Sequence, residues 1–197
     1  MILQACNAAA LTAAFLFVSA AGAADIDAGR NKAETVCAAC HGEGGNSANP
    51  LVPSLAAQPA QFIATQLYMF REGNRTDDQM SPMAKPLSNA DMNNLAAYFA
   101  AEKRDAPRHR SKPESVTAGP GLAKKYNCSQ CHGPQLMGQQ HIPRIAGQGY
   151  QYLLTQLLSF KAQKRFDMDG NMTAAAQLLS AEDIELLADY VAGLGAH

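Results

Sequence analysis

One five-residue pattern occurs twice: Cys37-Ala38-Ala39-Cys40-His41 and Cys128-Ser129-Gln130-Cys131-His132. Cysteines three positions apart can each add across one vinyl group of a haem. A histidine directly after the second cysteine is then placed to ligate the iron from one face, and this spacing is the attachment signature of c-type haem. A structural zinc site could use Cys-X-X-Cys pairs, and a redox dithiol could use one alone. Neither accounts for a histidine following the second cysteine in both copies. The pattern implies two covalently held haems, with Cys37, Cys40, Cys128 and Cys131 as attachment points and His41 and His132 as axial ligands.

The opposite axial position separates electron carriage from small-molecule binding. Met80 lies 40 residues after Cys40 and seven before Leu87-Ser88; Met172 lies 41 after Cys131 and seven before Leu179-Ser180. This shared register, in loops expected ahead of a capped helix, selects Met80 and Met172 over Met83 and Met168, although Met168 stays open as an alternative for the second haem. His141 has no counterpart in the first copy. The competing role for these methionines is simple packing, which is the role expected of Met69 and Met92 on predicted helices. A thioether is a soft, neutral ligand that raises the iron potential, and a filled sixth position leaves none for a substrate. Pro53 and Pro143 follow the two histidines by 12 and 11 residues. Their carbonyls are candidate acceptors for the other ring nitrogen, with turn formation as the alternative role. Arg75 and Arg165 occupy equivalent positions before the methionine segments, either to meet haem propionates or to lie on the surface. His109 and His197 are expected in solvent.

The elements that position these residues also repeat. Pro53-Ser54-Leu55-Ala56-Ala57-Gln58 corresponds to Pro143-Arg144-Ile145-Ala146-Gly147-Gln148, and Leu95-Ala96-Ala97-Tyr98-Phe99-Ala100 to Leu187-Ala188-Asp189-Tyr190-Val191-Ala192, at offsets between 90 and 92. Two copies mean duplication of a small domain rather than a solenoid. Each copy reads as helical: a helix into the haem motif, a second over about Pro59–Glu72 or Tyr150–Lys164, and a last one opened by Ser88 with Asp91 or Ser180 with Asp183, a capping-box pattern. Residues 102–117 are polar, basic and contain prolines, which suits an extended linker. The expected division is 24–101 and 118–197 around that linker.

Residues 1–23 read as a secretory leader: an apolar run from Ala8 to Val18, too short to span a bilayer comfortably, then Ala21-Gly22-Ala23 as an A-x-A cleavage site. Cys6 lies inside it, so the four haem cysteines leave none for disulfides. A formal net charge of −1 gives no support for nucleic-acid binding.

These features together resemble the dihaem cytochrome c4 family. The resemblance is carried by the two haem motifs, by Asn74-Arg75-Thr76-Asp77-Asp78, by Met80-Ser81-Pro82-Met83 and by Leu95-Ala96-Ala97-Tyr98-Phe99, and it covers essentially the whole chain after the leader. It implies an all-α protein of two tandem class I cytochrome c-like domains about a pseudo-twofold axis, with haem propionates facing each other. It further implies two haem c groups and no enzymatic activity of its own. The expected role is a periplasmic electron carrier, loosely associated with the membrane, between respiratory donor and acceptor proteins such as a terminal oxidase, or as the cytochrome subunit of an oxidoreductase.

Overall fold

Two helical segments carry the haem motifs, and the chain enters them differently. In the computed structural model, which describes residues 23–195, the expected leader (but for Ala23), with Cys6, and His197 lie outside the described residues. Helix α1 (Ile26–Lys32) is capped by the Asp25 carboxylate, which accepts from Ala28 N at 3.0 Å. It runs through one π-helical turn (Ala33–Cys37) straight into α2 (Ala38–His41). Helix α6 (Pro113–Lys125) opens on proline, whose missing N–H costs nothing in a first turn. It breaks at Asn127, left-handed at φ 54°, before α7 (Cys128–His132). Gly42 and Gly133, at φ 78° and 81°, end the two motif helices.

The remaining helices follow the repeat: α3 (Ala60–Glu72), α4 (Met80–Ala84) and α5 (Asn89–Ala101) in the first unit, and α8 (Tyr150–Lys161), α9 (Asn171–Gln177) and α10 (Ala181–Ala192) in the second. No strand forms among the described residues, only an isolated bridge between Gln139 and Ile142. Helix α1 packs on α5 and α6 on α10, with α3 and α8 completing the layers. The α1–α5 crossing is close because residue 29 is glycine: a Cβ there would lie 2.2 Å from Asn94 O. The cores are Ala33, Ile63, Leu95, Tyr98 and Phe99 in one unit, and Leu136, Leu153, Ala188 and Val191 with Leu179, Ile184 and Leu187 in the other. Met69 and Met92 are buried, as expected for core residues.

Both expected caps form, but unequally. Ser88 and Asp91 make the reciprocal box. Ser180 accepts from Asp183 N, while the Asp183 carboxylate turns instead to the Tyr126 hydroxyl at 2.5 Å and Lys125 Nζ at 3.4 Å.

The two units meet through a reciprocal set of bonds. Gln58 Nε2 donates to Arg144 O at 2.9 Å and its Oε1 accepts from Arg144 N at 3.0 Å. Gln148 does the same to Ser54, donating to its O at 2.9 Å and accepting from its N at 2.9 Å. Gln58 and Gln148 are repeat equivalents, as are Ser54 and Arg144. A contact in which each partner reads the other's matching residue is the signature of twofold symmetry. The structure thus has the pseudo-twofold arrangement that the resemblance implies.

Two expectations change. Residues 113–117, expected in the linker, form the first turn and more of α6. The irregular segment before it is not a free spacer: His109 Nε2 lies 2.7 Å from Asp189 Oδ1, Lys112 N donates to Asp189 Oδ2 at 2.8 Å, and Ser111 Oγ donates to Asp189 O at 2.7 Å. His109 also stacks on Tyr150 with ring centroids 5.0 Å apart. The reason is Asp189, a buried carboxylate on α10 that needs donors and finds them in the strap.

Candidate haem sites

Each motif histidine is buried, and each is held the same way. His41 Nδ1 donates to Pro53 O and His132 Nδ1 to Pro143 O, both at 2.8 Å. A carbonyl only accepts, so the proton sits on Nδ1 and Nε2 keeps its lone pair. Burial lowers the pKa of both imidazoles, against a smaller opposing effect of the proline carbonyls. Neutral imidazole with Nε2 free is the form that ligates iron. The turns that present the carbonyls also match. Leu55 N and Ala56 N both bond Gly45 O, and Ile145 N and Ala146 N both bond Leu136 O.

The cysteines show one inner and one outer member per motif. Cys37 and Cys128 are half-buried against their unit's core, while Cys40 and Cys131 are exposed. Burial pushes the Cys37 and Cys128 thiols up.

Met80 and Met172 are not in loops. Met80 opens α4, which packs on α3, and Met172 lies in the first turn of α9, which packs on α8. Both are half-buried, whereas Met83 is 45% and Met168 59% exposed. An aspartate anchors each segment. Asp77 Oδ1 accepts from Met80 N at 2.9 Å and Gln79 N at 3.0 Å. Asp167 Oδ2 accepts from Met172 N at 2.8 Å, and its Oδ1 accepts from Thr173 N at 2.9 Å and Thr173 Oγ1 at 2.6 Å. His141 lies at the surface, 3.3 Å from Asp169 Oδ2.

Arg75 and Arg165 are at the interface between the units, not on the surface. Arg75 donates to Gln66 Oε1 at 2.6 Å, Gln156 Oε1 at 3.2 Å and the Tyr152 hydroxyl at 3.3 Å. Arg165 donates to Gln156 Oε1 and, at 3.3 Å, to Gln66 Oε1. The guanidiniums lie over Phe70 and Phe160, at 4.4 and 4.5 Å from the ring centroids. Among the described residues no carboxylate pairs with either, and Arg165 Nε is buried without a partner. Burial lowers the Arg165 pKa to about 10. Burial raises the Tyr152 pKa, but the two guanidiniums outweigh it and hold it below the usual value. A half-buried cationic pair with neutral partners and a spare donor suits the carboxylates of a haem. With the free Nε2 atoms and the inner and outer cysteines, the residues present fit two covalently attached haems.

The sequence gives Gln58, Gln148, Asp77, Asp167 and Tyr152 no site role of their own. Yet the first four recur at an offset of 90, so the repeat itself held the signal.

Comparison with known proteins agrees with this geometry. The family model for cytochrome c oxidase, cbb3-type, subunit III matches residues 24–99, and that for cytochrome c matches residues 116–195. Cytochrome c4 of Thiocapsa roseopersicina is 36% identical over 86% of this chain and 93% of its own. The crystal structure of reduced recombinant cytochrome c4 from Pseudomonas stutzeri superposes with a TM-score of 0.80 at 33% identity, covering 87% of this chain and all of that one. Thiosulfate dehydrogenase (TsdBA) from Marichromatium purpuratum, in its as-isolated form, gives a TM-score of 0.78 at 31% identity, covering 87% of this chain and 41% of that one. The chain belongs to the cytochrome c4 family and is a dihaem electron-transfer cytochrome with two covalently bound haem c groups.

Proposed function

We propose that this protein is a periplasmic electron shuttle between respiratory donors and a terminal oxidase or reductase, with peripheral contact to the membrane. Units 24–101 and 118–197, the second extended back to Pro113 by α6, each hold one haem. Cys37 and Cys40 tether the first, and Cys128 and Cys131 the second. His41 with Met80, and His132 with Met172, are the axial ligands. The observation that carries the reading is the repeated buried histidine with Nδ1 committed to a proline carbonyl and Nε2 free.

When bound, haem c supplies a one-electron iron couple that exchanges electrons by outer-sphere transfer. The chain's own residues set the conditions. The proline carbonyls fix each histidine ring and raise its basicity. Half-buried Met80 and Met172 would supply thioethers that favour the ferrous state, a choice supported by their matched register and by the greater exposure of Met83 and Met168. Export is supported by the apolar run and A-x-A site of residues 8–23. No described helix is long and apolar enough to cross a membrane.

Carbon monoxide tests the closed coordination. The spectrum of the dithionite-reduced protein is expected to stay unchanged when the gas is added. Met80→Ala and Met172→Ala each open one carbon monoxide site. Conversion of the parent protein would instead mean an open iron and a catalytic role. A second reading, the cytochrome subunit of an oxidoreductase, is favoured by the likeness to the Marichromatium purpuratum thiosulfate dehydrogenase. Co-purification of a stoichiometric dehydrogenase from periplasm would select it.

A further inference from the structure

Asp77 and Asp167 are repeat equivalents, 90 residues apart. Each spends its carboxylate on the backbone N–H of the methionine in its own unit, at 2.9 Å for Met80 and 2.8 Å for Met172. The match is not a by-product of identical loops. Asp77 precedes its methionine by three residues and Asp167 by five, and the segments between them have different sequences. Two different loops converge on one bond. We propose that Asp77 and Asp167 are positioning residues that hold the axial methionines on their irons. The proposal rests on the ligand assignment above.

The physical reason is local. Helix α4 has five residues and α9 seven, too few to be stable alone. Their first N–H groups have no partner inside the helix. Neither Gln79 nor Gly170, at the N-cap positions, supplies a side-chain bond there. The aspartates satisfy the N–H groups from upstream and add a negative charge beside a helix N-terminus. Fixing the methionine backbone removes freedom that would otherwise let the thioether leave the metal.

The grip is uneven. Asp77 is exposed and holds two N–H groups, while Ser81 Oγ accepts from its own N at 3.0 Å. Asp167 is half-buried and holds two N–H groups and a hydroxyl. The neighbouring Asp169 further ties the loop, accepting from Asn171 Nδ2 at 2.8 Å and lying 3.3 Å from His141 Nε2. The first methionine is therefore the more easily displaced.

The test is competition by free imidazole in the oxidised holoprotein, followed by the absorption band of methionine sulfur on ferric iron. The parent protein loses this band in two steps, the earlier belonging to the Met80 haem. Losing a charge-assisted bond makes displacement easier by about tenfold. Asp77→Ala is expected to lower the half-displacing imidazole concentration of the earlier step by that factor and leave the later one in place. Asp167→Ala does the reverse. Asp77→Asn, which keeps an acceptor oxygen, retains most of the parent's resistance to displacement. Equal haem content and far-ultraviolet dichroism separate this from misfolding. Unchanged displacement in both alanine variants overturns the positioning role. If Met80→Ala or Met172→Ala keeps the full band, the ligand assignment itself fails, and the two failures are distinct.

Discussion

The two haem units are built on one plan with different residues at its tightest points. Gly45 takes φ 79° in the first unit, and a Cβ there would lie 2.8 Å from the Phe99 ring. The equivalent residue in the second unit is Leu136, at φ 58° and buried, and the partner of that ring is the smaller Val191. A glycine facing a phenylalanine has become a leucine near a valine. The bulk has moved from one side of the contact to the other, while the left-handed turn and its carbonyl, which accepts from Leu55 and Ala56 N in one unit and from Ile145 and Ala146 N in the other, are retained. The same holds at the interface, where Ser54 faces Gln148 and the much larger Arg144 faces Gln58 through the same pair of bonds. What the two units share is the histidine–proline bond and the turn behind it; what differs is how each fills space around them.

The sharpest way to break this comparison is to move one half of the swap. Gly45→Leu alone drives a side chain into Phe99 at a left-handed position, and is expected to destabilise the holoprotein by about 4 kcal/mol. Phe99→Val alone leaves a cavity and costs about 2 kcal/mol. In the double variant the volumes match the second unit, and the loss is smaller than the sum by at least about 2 kcal/mol. Denaturant unfolding of the four proteins checks it; strict additivity would mean that the two positions do not share one space. Next in size is the interface. Gln58→Ala and Gln148→Ala each remove two bonds to the opposite unit's backbone, and each costs about 2 kcal/mol, at net values near 1 kcal/mol per bond. Near-equal losses support the reciprocal contact. A loss confined to Gln58→Ala would mean that buried Arg144, not the glutamine pair, carries the joint.

How much of this was written in the sequence depends on the range of the interaction. The haem motifs, the helices and the Ser88 cap depend on neighbours within a few residues, and their periodicity is visible in the chain. The repeat extended that reach, since a residue present at the same place twice is tied to the fold rather than to chance. It is the shared register that selects Met80 and Met172 over Met83 and Met168. Their secondary structure was not visible, because α4 and α9 are short helices held from outside by Asp77 and Asp167 rather than by their own propensity. The strap was hidden for another reason. A run with Arg108, His109 and Arg110 reads as solvated unless a buried carboxylate some 80 residues away is known to face it. Asp189 has Ala97 as its counterpart, so here the repeat gave no help.

That asymmetry predicts a difference in acid. Burial raises the Asp189 pKa, but the Lys112 N–H, Ser115 and His109 outweigh it and hold it below its ordinary 3.8. A carboxylate depressed in the folded state adds stability above its unfolded pKa and loses it as pH falls through the folded value. Asp189→Asn is expected to lower stability at neutral pH by about 1 kcal/mol, with the gap to the parent closing below about pH 4. Ala97→Asp in the first unit, which has no strap, gains nothing at any pH. Unfolding curves across the acid range check both. A gap independent of pH would mean that Asp189 acts by shape alone.

The smallest expected effect concerns Met168, the alternative ligand for the second haem. Met168 lies four residues before Met172 and, at 59% exposed, lines an open surface cleft with Tyr68, Arg71 and Met92 of the first unit. Methionine and leucine have similar volumes, and a mostly exposed side chain contributes little burial, so Met168→Leu should change stability by less than about 0.5 kcal/mol. It should also leave the methionine–iron band and both reduction potentials at the parent values, because a thioether in solvent holds no iron. Met172→Leu removes the band of one haem and lowers its potential, since a strong-field neutral sulfur is lost. Reversed outcomes would move the ligand four residues upstream and detach it from Asp167, whose carboxylate holds the N–H of Met172 and not of Met168. The pair of leucine variants therefore decides between two methionines of the same segment by coordination alone, without a change in fold to confuse the reading.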